Sequence, residues 1–384
     1  MRIVIAPDSF KGCLSALNVA KAMRRGVQRV YPESLIEMIP MADGGEGTVE
    51  AILSAVPGVE VKIKVTDPLG RPIEASYGLI DNGLTAIIEM AAASGLTLLT
   101  NEEKNPLITS THGTGMLIRD ALERGVNKIL LGIGGSATND GGAGLAVALG
   151  VKLLDSQGRD LPPGGAALAE LASIDMSEIN PHLSKVKVEV ACDVQNPLCG
   201  PEGASAVYGP QKGASPESVQ KLDTALKKLG ECLSTVVGKN LLELVGGGAA
   251  GGLGAGTVGF LGAQLRPGSQ IVLEVSNADE KIQSADLVLT GEGRTDFQTA
   301  YGKVPVGVAA LAKKYDVPVL VISGSVEGPP NLLYDQGVLS CFSVSEGPAT
   351  LDQAFEKAEE QLERAVWRIL SVWKLGRESA LKVK

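Results

Sequence analysis

The first fifty-six residues constrain the fold more than any other part of the chain. Arg2-Ile3-Val4-Ile5-Ala6 has the composition and length of a strand. After Ser9-Phe10-Lys11-Gly12, the apolar positions Leu17, Ala20, Met23, Val27 and Val30 recur three or four apart, with Ser15 placed as a cap, which predicts an amphipathic helix. Leu35 to Pro40 reads as the next strand, and Val49, Ile52, Leu53 and Val56 mark the helix after it. Strand and helix alternating in this way predict a parallel sheet covered by helices.

The period then changes. Val59, Val61, Ile63 and Val65 alternate with Glu60, Lys62 and Lys64, and Asp67-Pro68-Leu69-Gly70 makes a turn. With the stretches Ile73–Leu79 and Leu84–Glu89 and the turn Asp81-Asn82-Gly83, this reads as an antiparallel meander, which puts a domain change near residue 70. A helix over Thr114–Leu122, a strand over Lys128–Gly132, a small-residue helix ending near Gly150 and a strand over Val186–Ala191 follow. Ser215 caps a long helix with Pro216 in its first turn and Val219, Leu222, Leu226, Leu229 and Leu233 on one face. From about Ile271 the alternation of strand and helix returns, with strands at Asp286–Thr290 and Pro318–Ile322, a helix over Val304–Ala312 and a closing helix after Leu351. At 384 residues the chain is longer than one core usually supports. The expectation is an α/β protein of two domains: a parallel-sheet domain from residues 1–70 and 271–384, with an α/β domain of mixed sheet, 71–270, inserted into it. Two consecutive domains are the alternative.

A formal charge of −9 gives no basic footprint for nucleic acid or an anionic membrane. There is no run of about 18 apolar residues and no charged-then-apolar leader before the first strand, so the expected location is the cytoplasm. Five scattered cysteines, without a CxxC pair, read as reduced thiols. With only His112 and His182 present, acid–base and metal chemistry falls to carboxylates. Whether the chain associates with copies of itself is left open.

Glycine makes up 48 of the 384 residues, about 12% against a usual level of roughly 7%, and it concentrates where predicted strands end. In open α/β sheets those ends are where ligands bind. The run Gly132 to Gly142 has the glycine needed for close backbone approach to phosphate, although such runs also serve plain packing. No Gly-x4-Gly-Lys-Ser/Thr loop or protein-kinase motif set is present. Gly132-x-Gly134-x-x-Ala137, with Asp155 some way downstream, matches a dinucleotide-binding pattern, so an NAD-dependent oxidoreductase of a small hydroxy acid is the alternative function. A non-catalytic binder of a phosphorylated ligand is a third.

Seven segments taken together resemble the bacterial glycerate kinase family of the glycerate 2-kinase type, over nearly the whole chain. They are APDSFKG (Ala6–Gly12), PMADGGEGT (Pro40–Thr48), GIGGSATNDGGAG (Gly132–Gly144), ACDVQNP (Ala191–Pro197), GPQKGA (Gly209–Ala214), GGGAAGGLGAG (Gly246–Gly256) and LTGEGRTD (Leu289–Asp296). The resemblance implies ATP-dependent phosphorylation of D-glycerate with Mg²⁺, to 2-phosphoglycerate with 3-phosphoglycerate as the alternative product, and a Rossmann- or flavodoxin-like domain that carries a second α/β domain as an insertion, with the reaction in a cleft between the two.

Roles for individual residues follow from their chemistry. Gly134, Gly135, Ser136, Thr138, Asn139, Gly141 and Gly142 are expected to cradle the ATP phosphates. Asp43, Glu46 and Asp193 are expected to hold Mg²⁺, which favours a few carboxylates plus phosphate oxygens. Lys11 offsets transition-state charge and Arg294 grips the glycerate carboxylate, with Asp8, Ser9, Glu292 and Lys303 as further substrate contacts. Lys212 is a weaker candidate of the same kind. For the base that takes the hydroxyl proton, Asp193 is preferred to Asp296, because a carboxylate directly after an apolar strand should be desolvated and its pKa raised.

Overall fold

Apolar runs of four or five residues need a partner on both faces, and in the computed structural model they find one. The structure describes residues 1–297, 299, 303–328 and 331–382. In chain order the main strands are β1 (Arg2–Ile5), β2 (Leu35–Met38), β3 (Gly58–Thr66), β4 (Pro72–Ile80), β5 (Thr85–Glu89), β6 (Lys128–Gly132), β7 (Lys187–Ala191), β8 (Gln264–Arg266), β9 (Leu287–Thr290), β10 (Val319–Ser323) and β11 (Val338–Ser343). They fall into two units, one made of Met1–Asp43, Glu50–Val56 and Ser269–Lys384, the other of Gly44–Val49 and Pro57–Gly268.

The first unit holds a five-stranded sheet in the order β11-β10-β9-β1-β2, parallel throughout. Strands β9 and β10 are buried along their whole length. The helix Ala16–Val30 starts where Ser15 Oγ accepts the Asn18 N–H, and buries Val19, Ala20, Met23, Val27 and Val30. Its Gly26 lies so close to the C-terminal helix Ala358–Lys382 that a Cβ there would stand 2.5 Å from the Glu363 carbonyl oxygen. Numbered within this unit, the strand order is second, first, third, fourth, fifth, which is the flavodoxin-like doubly wound arrangement. The order reverses between β1 and β9.

The second unit has a mixed six-stranded sheet, β8-β7-β6-β5-β4-β3, in which β5 to β8 run parallel and β3, β4 and β5 form the antiparallel meander read from the sequence. The expected division at residue 70 shifts here. β3 pairs with β4 from Gly58↔Ile80 to Thr66↔Pro72, so residues 57–70 belong with the second unit, as does the short segment Gly44–Val49. In the meander reading this strand is already joined to the next one through the turn at Asp67–Gly70, so a boundary at residue 70 cuts through a hairpin that the fold keeps whole. The helix His112–Glu123 packs onto this sheet, buries Leu117, Ile118, Ala121 and Leu122, and approaches β3 through Gly113. A Cβ at Gly113 would lie 1.9 Å from the Thr66 carbonyl oxygen. Gly113→Ala is therefore expected to destabilise the protein by about 1–3 kcal/mol, seen as a lower urea midpoint. An unchanged midpoint would show that the helix can shift freely.

Among the described residues no helix is long and apolar enough to cross a membrane. All five cysteines are free, in line with the expectation of reduced thiols.

Candidate functional site

At the point where the strand order reverses, the loops leaving β1 and β9 run side by side. The Ala6 N–H donates to Leu289 O and the Asp8 N–H to Gly291 O, each at 2.8 Å, while Thr290 Oγ donates to Ala6 O at 2.7 Å. Gly291 is required here, since a Cβ would stand 1.8 Å from the Ile322 carbonyl oxygen. This backbone pairing puts Asp8 and Glu292 next to each other at the carboxyl ends of the strands, both nearly buried, at 7% and 5% exposure.

The surrounding charges are organised around those two acids. Asp8 Oδ1 accepts the Ser9 N–H at 2.7 Å. Lys11 Nζ donates to Asp43 Oδ2 at 3.0 Å. Glu292 accepts hydroxyl protons from Thr299 at 2.6 Å and Thr295 at 3.3 Å, and Lys303, which caps the helix Val304–Lys313, brings its Nζ within 3.6 Å. Arg294 sits at the rim, bonded to Glu327 at 2.5 Å and paired with Asp296 at 3.5 Å. Asp8, Ser9, Lys11, Asp43, Glu292, Arg294, Lys303 and Glu327 line part of a cavity of about 800 Å³ that lies within the first unit.

Burial and like charge act together on Asp8. Desolvation, then the Asp43 carboxylate and more weakly that of Glu292, outweigh the Ser9 N–H and Lys11 and push its pKa up to about 7. Burial likewise raises Glu292 against its hydroxyl donors and Lys303. Lys11 is raised, chiefly by the charge of Asp43. The result is a carboxyl group poised near neutral pH beside a firmly protonated ammonium, which is what a general base for a hydroxyl group needs.

In the second unit the glycine-rich run after β6 has another character. Ser136, Thr138, Asn139 and Asp140 are buried beneath the surface. The Gly134 N–H is taken by Gly44 O, that of Gly141 by Gly251 O and that of Gly142 by Asp140 Oδ1. Side chains at Gly141 and Gly142 would collide with Leu229 at 2.3 Å and Leu253 at 2.9 Å. These three amides are thus committed inside the protein, and Gly141 and Gly142 serve backbone packing. Of the expected cradle, Gly135 is the exposed member. Beneath the loop, Lys212 is fully buried and donates to Ser136 Oγ at 2.7 Å and Thr138 O at 2.6 Å. Burial lowers its pKa to about 7, with Asp140 opposing. Asp140 is itself raised by burial, against donors from Thr111, Gly142 and Gly144. Lys212 is a strut for this loop, without the surface exposure a phosphate contact requires.

The Gly132-x-Gly134-x-x-Ala137 match does not open a helix, because residues 133–142 continue as loop and the helix that follows, Ala143–Ala148, has six residues. That removes the structural context a dinucleotide site requires. The burial argument for Asp193 also fails. The chain turns to the surface after Ala191, and the exposed Asp193 accepts the Gly268 N–H at 2.9 Å. Glu46 is exposed in its turn as well. Among the described residues no three His, Cys, Asp or Glu side chains are grouped to hold a metal ion, and Asp43 is engaged by Lys11. Of the expected trio, Asp43 belongs to the first unit and Glu46 and Asp193 to the second.

Asp8, Ser9, Lys11, Asp43, Glu292, Arg294, Asp296 and Lys303 all belong to the first unit, and all but Asp296 line its cavity. What the sequence reading missed is that Asp8 is the desolvated carboxylate. The signal was available: Asp8 follows the first apolar strand as closely as Asp193 follows its own. Thr295 lies within the segment Leu289–Asp296 but its hydroxyl was given no role, and Thr299 and the cavity wall around Leu351 and Phe355 carried no motif.

The sequence model of the glycerate kinase family matches residues 3–374. The chain is 50% identical to the glycerate kinase of Halalkalibacterium halodurans, over 96% of this chain and 97% of that protein. It is 47% identical to the glycerate 2-kinase of Escherichia coli K12, over 99% and 100%. A crystal structure described as that of a glycerate kinase 2 from Salmonella typhimurium LT2 superposes with a TM-score of 0.89 at 49% identity, covering 98% of this chain and 99% of that one.

Proposed function

We propose, for a chain that belongs to the glycerate kinase family, that it transfers the terminal phosphoryl group of ATP to the 2-hydroxyl of D-glycerate, with Mg²⁺, in the cavity of its first unit. The observation that carries the placement is Asp8, a buried carboxyl held near neutral pKa beside Lys11 at the reversal of strand order. The choice of the 2-hydroxyl is supported by the name of the Escherichia coli relative.

Asp8 accepts the proton of the glycerate hydroxyl as that oxygen attacks phosphorus. Lys11, oriented by Asp43, lies where negative charge on the transferred group can be offset, and Lys303 adds a second cation near Glu292. Arg294 is exposed enough to exchange its partner Glu327 for the carboxylate of glycerate. Carboxylate oxygens at Asp43 and Glu292 are the donors magnesium prefers, and a bound divalent cation would counter the burial that pushes Asp8 and Glu292 toward protonation. When bound, Mg²⁺ neutralises phosphate oxygens. The chain itself binds, orients and removes the proton.

Release of ADP that requires both D-glycerate and Mg²⁺ tests this reading, and release independent of glycerate opposes it. Arg294→Ala is expected to raise the KM for glycerate by about tenfold to a hundredfold while changing kcat by only a few-fold, as loss of uniform substrate binding does. An unchanged KM would remove Arg294 from the glycerate contact.

A further inference from the structure

A cavity of about 800 Å³ is in the range that holds a drug-sized molecule, and it is far more than a three-carbon acid fills. Its charged lining is accounted for by the reading above, but the rest is not. One continuous stretch, Val344 to Ala358, contributes Val344, Pro348, Ala349, Leu351 and Phe355, an apolar surface beside a highly charged one. Leu351 is 67% exposed and Phe355 40% exposed, so two large apolar side chains stand uncovered at the cavity. They are close to the charged end. The Phe355 ring comes within 3.8 Å of the place a Cβ would take on Gly12, next to Lys11, and Cys13 Sγ donates to the Phe355 carbonyl at 3.6 Å. Gln361, one turn into the C-terminal helix, adds a carboxamide to the same lining.

An aromatic face, aliphatic neighbours, one carboxamide and a cluster of cations at one end are the parts needed to hold a purine nucleotide. Aromatic rings stack on bases, and glutamine matches the adjacent donor and acceptor on the edge of adenine. The alternative cradle, the glycine-rich loop of the second unit, has its amides at Gly134, Gly141 and Gly142 already bonded within the protein. We propose that Leu351, Phe355 and Gln361 form the adenine subsite of this cavity, with the base on Phe355 and Leu351, its amino edge toward Gln361 and the triphosphate extending to Lys11 and Lys303. The assignment rests on the phosphotransferase reading above and adds to it where the nucleotide base is recognised.

Calorimetric binding without glycerate tests it, with ATP and inorganic triphosphate as paired probes. Phe355→Ala and Gln361→Ala are each expected to weaken ATP by about tenfold while leaving triphosphate binding within about twofold, because only ATP carries the base. The helix Leu351–Glu356 has no buried residue, so Phe355→Ala should leave the fold intact, and Gln361→Ala provides an independent second variant. Equal loss for both probes, or ATP affinity unchanged in both variants, would overturn the subsite. Wild-type protein that turns over glycerate while both variants bind ATP normally would reject the subsite and leave the kinase reading standing. Wild-type protein that neither binds ATP nor turns over would reject both.

Discussion

Asp8→Asn is expected to lower kcat by about 10²- to 10⁴-fold, the range for loss of a positioned general base, and to make the protein more stable at neutral pH and above. Both effects come from the same burial. The carboxyl moves from an ordinary 3.8 to about 7 on folding, chiefly by desolvation and the charge of Asp43. Below pH 3.8 it is protonated in both folded and unfolded chains. Between 3.8 and 7 the folded protein keeps a proton the unfolded chain has lost, so stability falls as pH rises and levels off above 7. A shift of that size amounts to at most about 4 kcal/mol, which an uncharged asparagine does not lose. Unfolding of the two proteins should therefore diverge from pH 4 to about 7 and keep a constant gap above it, with the variant the more stable. In the wild type, kcat/KM should fall below about pH 7 with a slope of one, and added Mg²⁺ should move that limb to lower pH, because its charge favours the carboxylate. Parallel stability curves, or a pH–rate profile without the limb, would place the proton acceptor elsewhere.

The second large effect is structural. Glu189 in β7 is buried at the meeting of three parallel strands, each of which supplies it a cation: Lys187 at 2.5 Å, Lys128 of β6 at 3.0 Å and Arg266 of β8 at 3.2 Å. Burial alone would raise its pKa, but the three cations outweigh that and draw it down to about 2. The stabilisation is fully present above the unfolded value of 4.5 and is lost as pH falls toward 2. Glu189→Gln is expected to cost about 2–3 kcal/mol at pH 7, at the low end for a broken buried cluster because the lysines and arginine can turn partly to water. Urea unfolding should show that gap at pH 7 and show it closing below pH 4.5. Equal stability at pH 7 would mean the cluster contributes nothing net.

Periodicity was enough wherever one face of an element is buried and the other exposed. The helices Ala16–Val30 and Pro216–Val237 and the meander β3–β5 appear where their apolar spacing placed them. It was not enough where exposure is uniform. The helix Ala249–Leu261 is buried nearly all round, so its glycine and alanine show no stripe, and the edge strand β11 is half-exposed along most of its length. The division at residue 70 failed for a different reason: the change of period begins at Val59, and a boundary at residue 70 falls at the turn inside the meander instead of before its first strand.

The site was legible as composition and less so as role. Asp8, Lys11, Glu292, Arg294 and Lys303 were all singled out, and the fold gathers them at one cavity. Which carboxylate is desolvated depends on where the chain goes next: beyond Ala6 it pairs inward with Gly291, whereas beyond Ala191 it turns to the surface. Glycine content alone could not separate a phosphate cradle from backbone packing, because both demand the missing Cβ.

The most direct measurement is phosphorus NMR of the purified protein incubated with D-glycerate, ATP and Mg²⁺. A growing monoester signal that matches 2-phosphoglycerate, formed as ATP is converted to ADP and formed at least about a hundredfold more slowly by the Asp8→Asn protein, is the predicted result. No monoester, or a product formed equally well without Asp8, would contradict it.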